Sequence, residues 1–158
     1  MFGLFKKKQV EIFSPVDGGL VELESINDQV FSKKLVGDGV AIIPMSRTIS
    51  SPISGVVTRI FPTKHAFMIT SPSGIEVMVH VGLDTVDLNG EGFTCLVKEG
   101  DSVGQACPIL EVDFEFLKSK NKDIVTPIII TSDKDIELEK SKVGTIREGE
   151  LLLKVKIL

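Results

Sequence analysis

No apolar run in this 158-residue chain approaches the roughly 20 residues that a membrane-crossing helix needs. Cysteine is scarce as well. Cys95 and Cys107 form neither a CxxC pair nor a spacing suited to zinc, which argues against a disulfide scaffold or a zinc ribbon. Two isolated thiols fit small apolar residues of a reducing compartment. Positive charge is in deficit, with 18 Lys and Arg against 22 Asp and Glu and a net charge of −4. A chain of that sign is a poor match for nucleic-acid phosphates, so no nucleic-acid partner is expected. A secretory signal is missing too, because the apolar residues Phe2, Leu4 and Phe5 come before Lys6, Lys7 and Lys8, the reverse of the usual order. Residues 1–10 read as a short flexible leader and 11–158 as one domain, with the cytoplasm as the expected compartment. At 42% hydrophobic and 25% charged, that domain can bury a core without disulfides or metal.

What the chain has in quantity is short runs of Val, Ile and Leu punctuated by Gly, Pro, Ser, Asn and Asp. Strands are predicted over 19–24, 40–44, 55–61, 66–70, 75–81, 109–113, 124–131 and 151–158. Only residues 113–122 have a helical pattern. The fold class is therefore all-β, an antiparallel β-sandwich or barrel of short strands with one or two short helical turns. Two echoes run through it. Ser14-Pro15-Val16-Asp17-Gly18 matches Ser51-Pro52-Ile53-Ser54-Gly55, and the turn Lys98–Val103 resembles Arg147–Leu151.

The two histidines, His65 and His80, bracket a hairpin pattern with Ser71-Pro72-Ser73-Gly74 at its tip. A turn centred between Pro72 and Ser73 pairs Ile69 with Glu76 and His65 with His80. Alternation then puts Phe67 and Met78 on the histidine face and Ala66, Met68, Val77 and Val79 toward the core. Directly opposed Cβ atoms lie about 4.5–5.5 Å apart, so both rings could bracket one anion or one metal ion. A nucleophilic imidazole must be neutral and held in one tautomer with its free nitrogen outward. The Gly82 carbonyl can hold one nitrogen of His80 in this way, and the Thr63 hydroxyl one nitrogen of His65. No Ser-His-Asp order is present, and hydrolysis is not indicated.

The segment Glu76-Val77-Met78-Val79-His80-Val81-Gly82-Leu83-Asp84-Thr85-Val86 resembles the glucose-type enzyme IIA proteins of the bacterial phosphoenolpyruvate-dependent sugar phosphotransferase system. So do Thr63-Lys64-His65-Ala66-Phe67, Val36–Ile42 and Thr126-Pro127-Ile128. The resemblance implies an antiparallel β-sandwich and a phosphotransferase component phosphorylated on His80 through Nε2. His65 would then hold the phosphoryl group, with Thr63 orienting it. It implies phospho-HPr as donor, the cysteine of a IIB domain in a IIB/IIC sugar permease as acceptor, and regulated transport or metabolic proteins as further partners. Phe31 and Phe61, with Phe67 and Met78 beside the histidines, would form an apolar docking ring, and Asp28 and Asp84 its acidic rim. No cofactor is required. Two other classes remain open at this point. One is a lipoyl- or biotinyl-type carrier modified on Lys134. The other is a binding module holding zinc, in a regulatory complex, between His65, His80 and a partner's carboxylate.

Overall fold

The computed structural model describes residues 8–132 and 134–158. Its strands are β1 (Lys8–Phe13), β2 (Gly18–Glu22), β3 (Asp38–Pro44), β4 (Thr48–Ser50), β5 (Gly55–Ile60), β6 (Ala66–Thr70) and β7 (Glu76–His80). There follow β8 (Phe93–Cys95), β9 (Ser102–Val103), β10 (Pro108–Val112), β11 (Thr126–Ile130), β12 (Ile136–Lys140), β13 (Gly144–Ile146) and β14 (Leu151–Ile157). The helices are short: α1 (Gln29–Ser32), α2 (Phe114–Ser119) and the 3₁₀ turns Leu23–Ser25 and Thr85–Leu88. This is the all-β class expected. The helix within 113–122 is α2, started by the Asp113 carboxylate accepting from Phe116 N at 3.1 Å. Strand β1 takes in residues 8–10 from the stretch read as leader and pairs them with β14; residues 1–7 lie outside the described residues.

One antiparallel sheet has the order β13-β2-β3-β11-β7-β6-β5-β9, and two smaller sheets have the orders β1-β14-β12 and β4-β10-β8. The orders match from either end, so the chain contains two equivalent halves related across the β11–β7 pair. The hydrogen bonds repeat in the same way. Ser14 N donates to Glu150 O (2.8 Å) and Gly149 N to Ser14 O (2.9 Å), as Ser51 N donates to Cys107 O (2.8 Å) and Ala106 N to Ser51 O (2.9 Å). Both serine hydroxyls are buried, and each closes its own turn by donating to the carbonyl two residues on. The halves also clasp each other, with Phe13 N on Pro52 O and Ser50 N on Pro15 O. The serine–proline echo in the sequence is thus a structural equivalence. The second echo is a likeness of turns: Asp101 N donates to Lys98 O as Glu150 N does to Arg147 O, with Gly100 and Gly149 both left-handed (φ 93° and 84°). By position in the two halves, the counterpart of Arg147–Glu150 is instead Gly104–Cys107, with Ala106 left-handed at φ 74°.

Strand β11 is buried along its whole length because the sheet centre is covered on both sides. The main core contains Ile12, Ile42, Ile69, Val77, Val79, Leu110 and Ile128. A smaller cluster on the other face joins Ala41, Met78 and Ile129 to Leu23, Ile26, Phe31, Leu83 and Val125. The segment from Leu23 through α1 covers that face, and the histidines lie at the cluster's edge. Phe67, expected on the docking surface, is instead fully buried in the main core.

Candidate functional site

The tip of the β6–β7 hairpin decides which residues meet. Gly74 adopts φ 85° and donates to Ser71 O, while Ser71 N donates to Ile75 O at 2.8 Å. Three residues, Pro72, Ser73 and Gly74, therefore form the loop, with glycine at the left-handed position that such loops require. This moves the register by one residue from the expected pairing. Ala66 faces His80, Phe67 faces Val79 and Met68 faces Met78. Alternation then turns Phe67, Ile69, Val77 and Val79 to the main core, and Met68, Met78 and His80 to the other face.

His65 is not opposite His80 in the ladder; its carbonyl accepts from Val81 N. By strict alternation its ring would enter the core beside Phe67. It does not, because the chain bends at Lys64, whose φ is 60°. The ring comes to rest at right angles to that of His80, with centroids 4.7 Å apart at 79°. The histidines meet as expected, but diagonally and through a bend.

Four rings form a row. Phe61 lies edge-on to His65 at 5.5 Å, His65 touches His80, and Phe31 closes the row at 4.9 Å from His80. Each imidazole is held through Nδ1. Thr63 Oγ1 lies 2.6 Å from Nδ1 of His65, and the Gly82 carbonyl 2.8 Å from Nδ1 of His80. Both partners are the ones the sequence pointed to. No buried side-chain nitrogen or oxygen among the described residues lacks a partner, so neither Nε2 is sealed in unpaired. Gly82 cannot be replaced here without strain, since its φ is 77° and a Cβ would lie 2.6 Å from Thr85 Cγ2.

Burial lowers the pKa of both rings. For His65 it is pulled from 6.5 to about 4, burial acting first and the charge of His80 second. For His80 burial again dominates and is opposed by the Gly82 carbonyl and by the carboxylates of Asp28 and Asp84. Both rings are neutral at pH 7. For His65 the unfolded chain binds its proton below pH 6.5 while the folded ring does not, so the stability it confers is complete above pH 6.5 and lost as pH falls toward about 4, and His80 acts in the same direction. Urea unfolding across that window should therefore show stability falling with acidification, by up to roughly 1.4 kcal/mol per pH unit per histidine. In His65→Gln the slope should be shallower; an unchanged slope would mean that His65 titrates normally.

The other candidates divide. Asp28 is half-buried and caps α1, accepting from Val30 N at 2.9 Å, which sets Phe31 against His80. Asp84 is exposed in a left-handed turn (φ 57°), and its carboxylate makes no capping bond. Phe61 is half-buried under the Arg59 guanidinium, 4.2 Å above its ring. Met78 and Phe31 are buried, floor rather than rim, at 5% and 6% exposed. Arg59, Met68 and Leu83 complete the surroundings and were missed. A hairpin register set by Gly74 would have found Met68, since it faces Met78.

The family model for the phosphoenolpyruvate-dependent sugar phosphotransferase system, EIIA 1, matches residues 10–136. The chain belongs to this EIIA family. It is 43% identical over 145 residues to the glucose-specific EIIA component of Haemophilus influenzae, covering 92% of this chain and 87% of that protein. A glucoside-specific EIICBA component of Staphylococcus carnosus is 44% identical over 144 residues, which span 91% of this chain but 21% of the longer protein. The fold agrees with that of the glucose permease IIA of Mycoplasma capricolum, with a TM-score of 0.89 at 37% identity over 93% of this chain and 96% of that one. Membership of the EIIA family sets aside the swinging-arm carrier, whose candidate Lys134 is an exposed residue between β11 and β12. Among the described residues no helix is long and apolar enough to cross a membrane.

Proposed function

We propose that His80 is the phosphoryl acceptor of this EIIA protein, through Nε2, and that His65 and Thr63 hold the transferred group. The observation that carries this is the pair of Nδ1 contacts. The Gly82 carbonyl can only accept, so His80 keeps its proton on Nδ1 and a lone pair on Nε2. The Thr63 hydroxyl can donate to Nδ1 of His65, which leaves that ring's proton on Nε2. Two touching rings thus take opposite tautomers, one a nucleophile and the other a donor.

With phospho-HPr as donor, the Nε2 lone pair of His80 attacks phosphorus while the bond from phosphorus to the donor's histidine nitrogen breaks. The donor nitrogen recovers that electron pair. His65 Nε2–H donates to a phosphoryl oxygen as charge shifts. In the second transfer a IIB cysteine thiolate attacks phosphorus, and His80 recovers its lone pair. The fused EIICBA relative supports a IIB acceptor in a IIB/IIC permease. The sugar is chosen by that acceptor, and the step takes place at the cytoplasmic side. No cofactor enters. Among the described residues no three His, Cys, Asp or Glu gather as metal ligands, so zinc on the histidine pair would need ligands from a partner.

Incubation with phospho-HPr followed by mapping of the acid-labile phosphoryl group tests the assignment. It should be found on His80, and a modified residue elsewhere overturns it. For His65→Gln, slower transfer in both directions is expected, by roughly ten- to a hundredfold, because an amide keeps a donor but not its geometry. Wild-type single-turnover rates would reduce His65 to a neighbour of the reaction.

A further inference from the structure

The loop delivering His65 depends on a backbone conformation that lysine seldom adopts. We propose that Lys64 is a positioning residue for His65, acting through its left-handed backbone rather than its ammonium group. This rests on the reading of His65 as the group that holds the phosphoryl.

Two neighbouring loops show what the conformation does. At the β6–β7 tip, Gly74 N donates to Ser71 O (2.9 Å), φ is 85°, and the next residue, Ile75, returns at once to the ladder. Between β5 and β6, Lys64 N donates to Phe61 O (2.8 Å) with φ 60°, the same device. Here one extra residue follows before pairing resumes at Ala66, whose carbonyl accepts from Phe61 N at 3.0 Å. That extra residue is His65. Because it stands outside the β5–β6 pairing, its side chain escapes the alternation that buries Phe67. Its carbonyl is fixed by Val81 N and its Nδ1 by Thr63. A Lys64 with negative φ would return His65 to the strand pattern and separate it from both Thr63 and His80.

Nothing in the side chain accounts for the choice of residue. Lys64 is exposed and runs along Gly90, where a Cβ would lie 3.9 Å from its Cδ, and neither imidazole is hydrogen-bonded to it. Left-handed φ is relaxed for glycine and tolerable for asparagine, but strained for lysine and more so for β-branched residues. Such strain persists only where the surroundings over-determine it, here the Phe61–Lys64 turn and the backbone bonds of Ala66 O to Phe61 N and His65 O to Val81 N that follow it.

The full-length chain tests this with Lys64→Gly and Lys64→Val, each also placed in a His65→Gln background. The readouts are the ¹⁵N shifts of the His65 ring without any phosphoryl donor, and the single-turnover rate from phospho-HPr. Lys64→Gly should keep wild-type ring shifts and rate. Lys64→Val should move the Nδ1 shift away from its Thr63-bonded value and slow transfer roughly tenfold or more, and it should add nothing once residue 65 is glutamine. The inference is overturned if Lys64→Gly is as slow as Lys64→Val, if the ring shifts do not move, or if the valine loss is equal in both backgrounds. Should the valine variant not fold, the β-branched but smaller and polar Lys64→Thr replaces it, with a smaller shift in the same direction expected and wild-type behaviour counting against the proposal. A phosphoryl group mapped away from His80 would refute the functional reading, while the ring shifts would still decide the role of Lys64.

Discussion

His80→Ala is expected to yield a folded chain that accepts no phosphoryl group. The backbone of residue 80 ends β7 and pairs with Ala66, and alanine satisfies that pairing. The lost ring contacts Phe31 and His65 at the edge of the smaller cluster, so the stability cost should stay modest, about 1 kcal/mol. The chemistry has no substitute. In the tautomer proposed for it, His65, the other imidazole, spends its Nδ1 lone pair on the Thr63 hydroxyl and carries its proton on Nε2, so no lone pair is free. The check is phosphate incorporation from labelled phospho-HPr beside a thermal melt. A variant that melts near wild type and still takes label would place the nucleophile elsewhere.

Phe67→Ala should do the reverse, damaging the fold more than the chemistry. Its ring is fully buried among main-core residues, on the face of β6 opposite the histidines. Removing a buried phenyl ring costs about 3–5 kcal/mol in transfer energy and cavity formation, a drop in melting temperature on the order of 10 °C for a chain of this size. Phe61→Ala, half-exposed beneath Arg59, should melt closer to wild type and show its loss in partner binding. If instead Phe67→Ala melted normally and only weakened partner transfer, Phe67 would belong to the docking surface after all.

The contrast between these residues shows where the sequence is legible. β6 falls on the predicted residues 66–70, and β11 lies within a run of apolar residues buried on both faces. Edge strands are harder to read. β12, Ile-Glu-Leu-Glu-Lys, has three charged residues among its five, and β4, β8, β9 and β13 have three residues or fewer, too short for a period to appear. Helix α1 is a single turn whose signal is one capping aspartate. Which histidines meet, and what holds them, was plain from Thr63 and Gly82. How they meet was not, because a one-residue error at Gly74 inverts every face of β6 relative to β7, and the bend at Lys64 then brings His65 back beside His80. Phe67 was misplaced by the first of these effects alone.

The nesting of the two halves has a consequence for synthesis. Residues 48–112 form one half and are made between the two parts of the other. A nascent chain stopped after β10 already holds both histidines, Thr63 and Gly82, yet β7 has no neighbour on its far side, because that neighbour is β11. Val125 and Ile129, which lie in the cluster beside His80, also come later. Such a chain presents an apolar strand with an open edge, the form most prone to pair with another molecule. The reactive pair is thus specified early on the ribosome but completed late, when β11 emerges and seals the sheet.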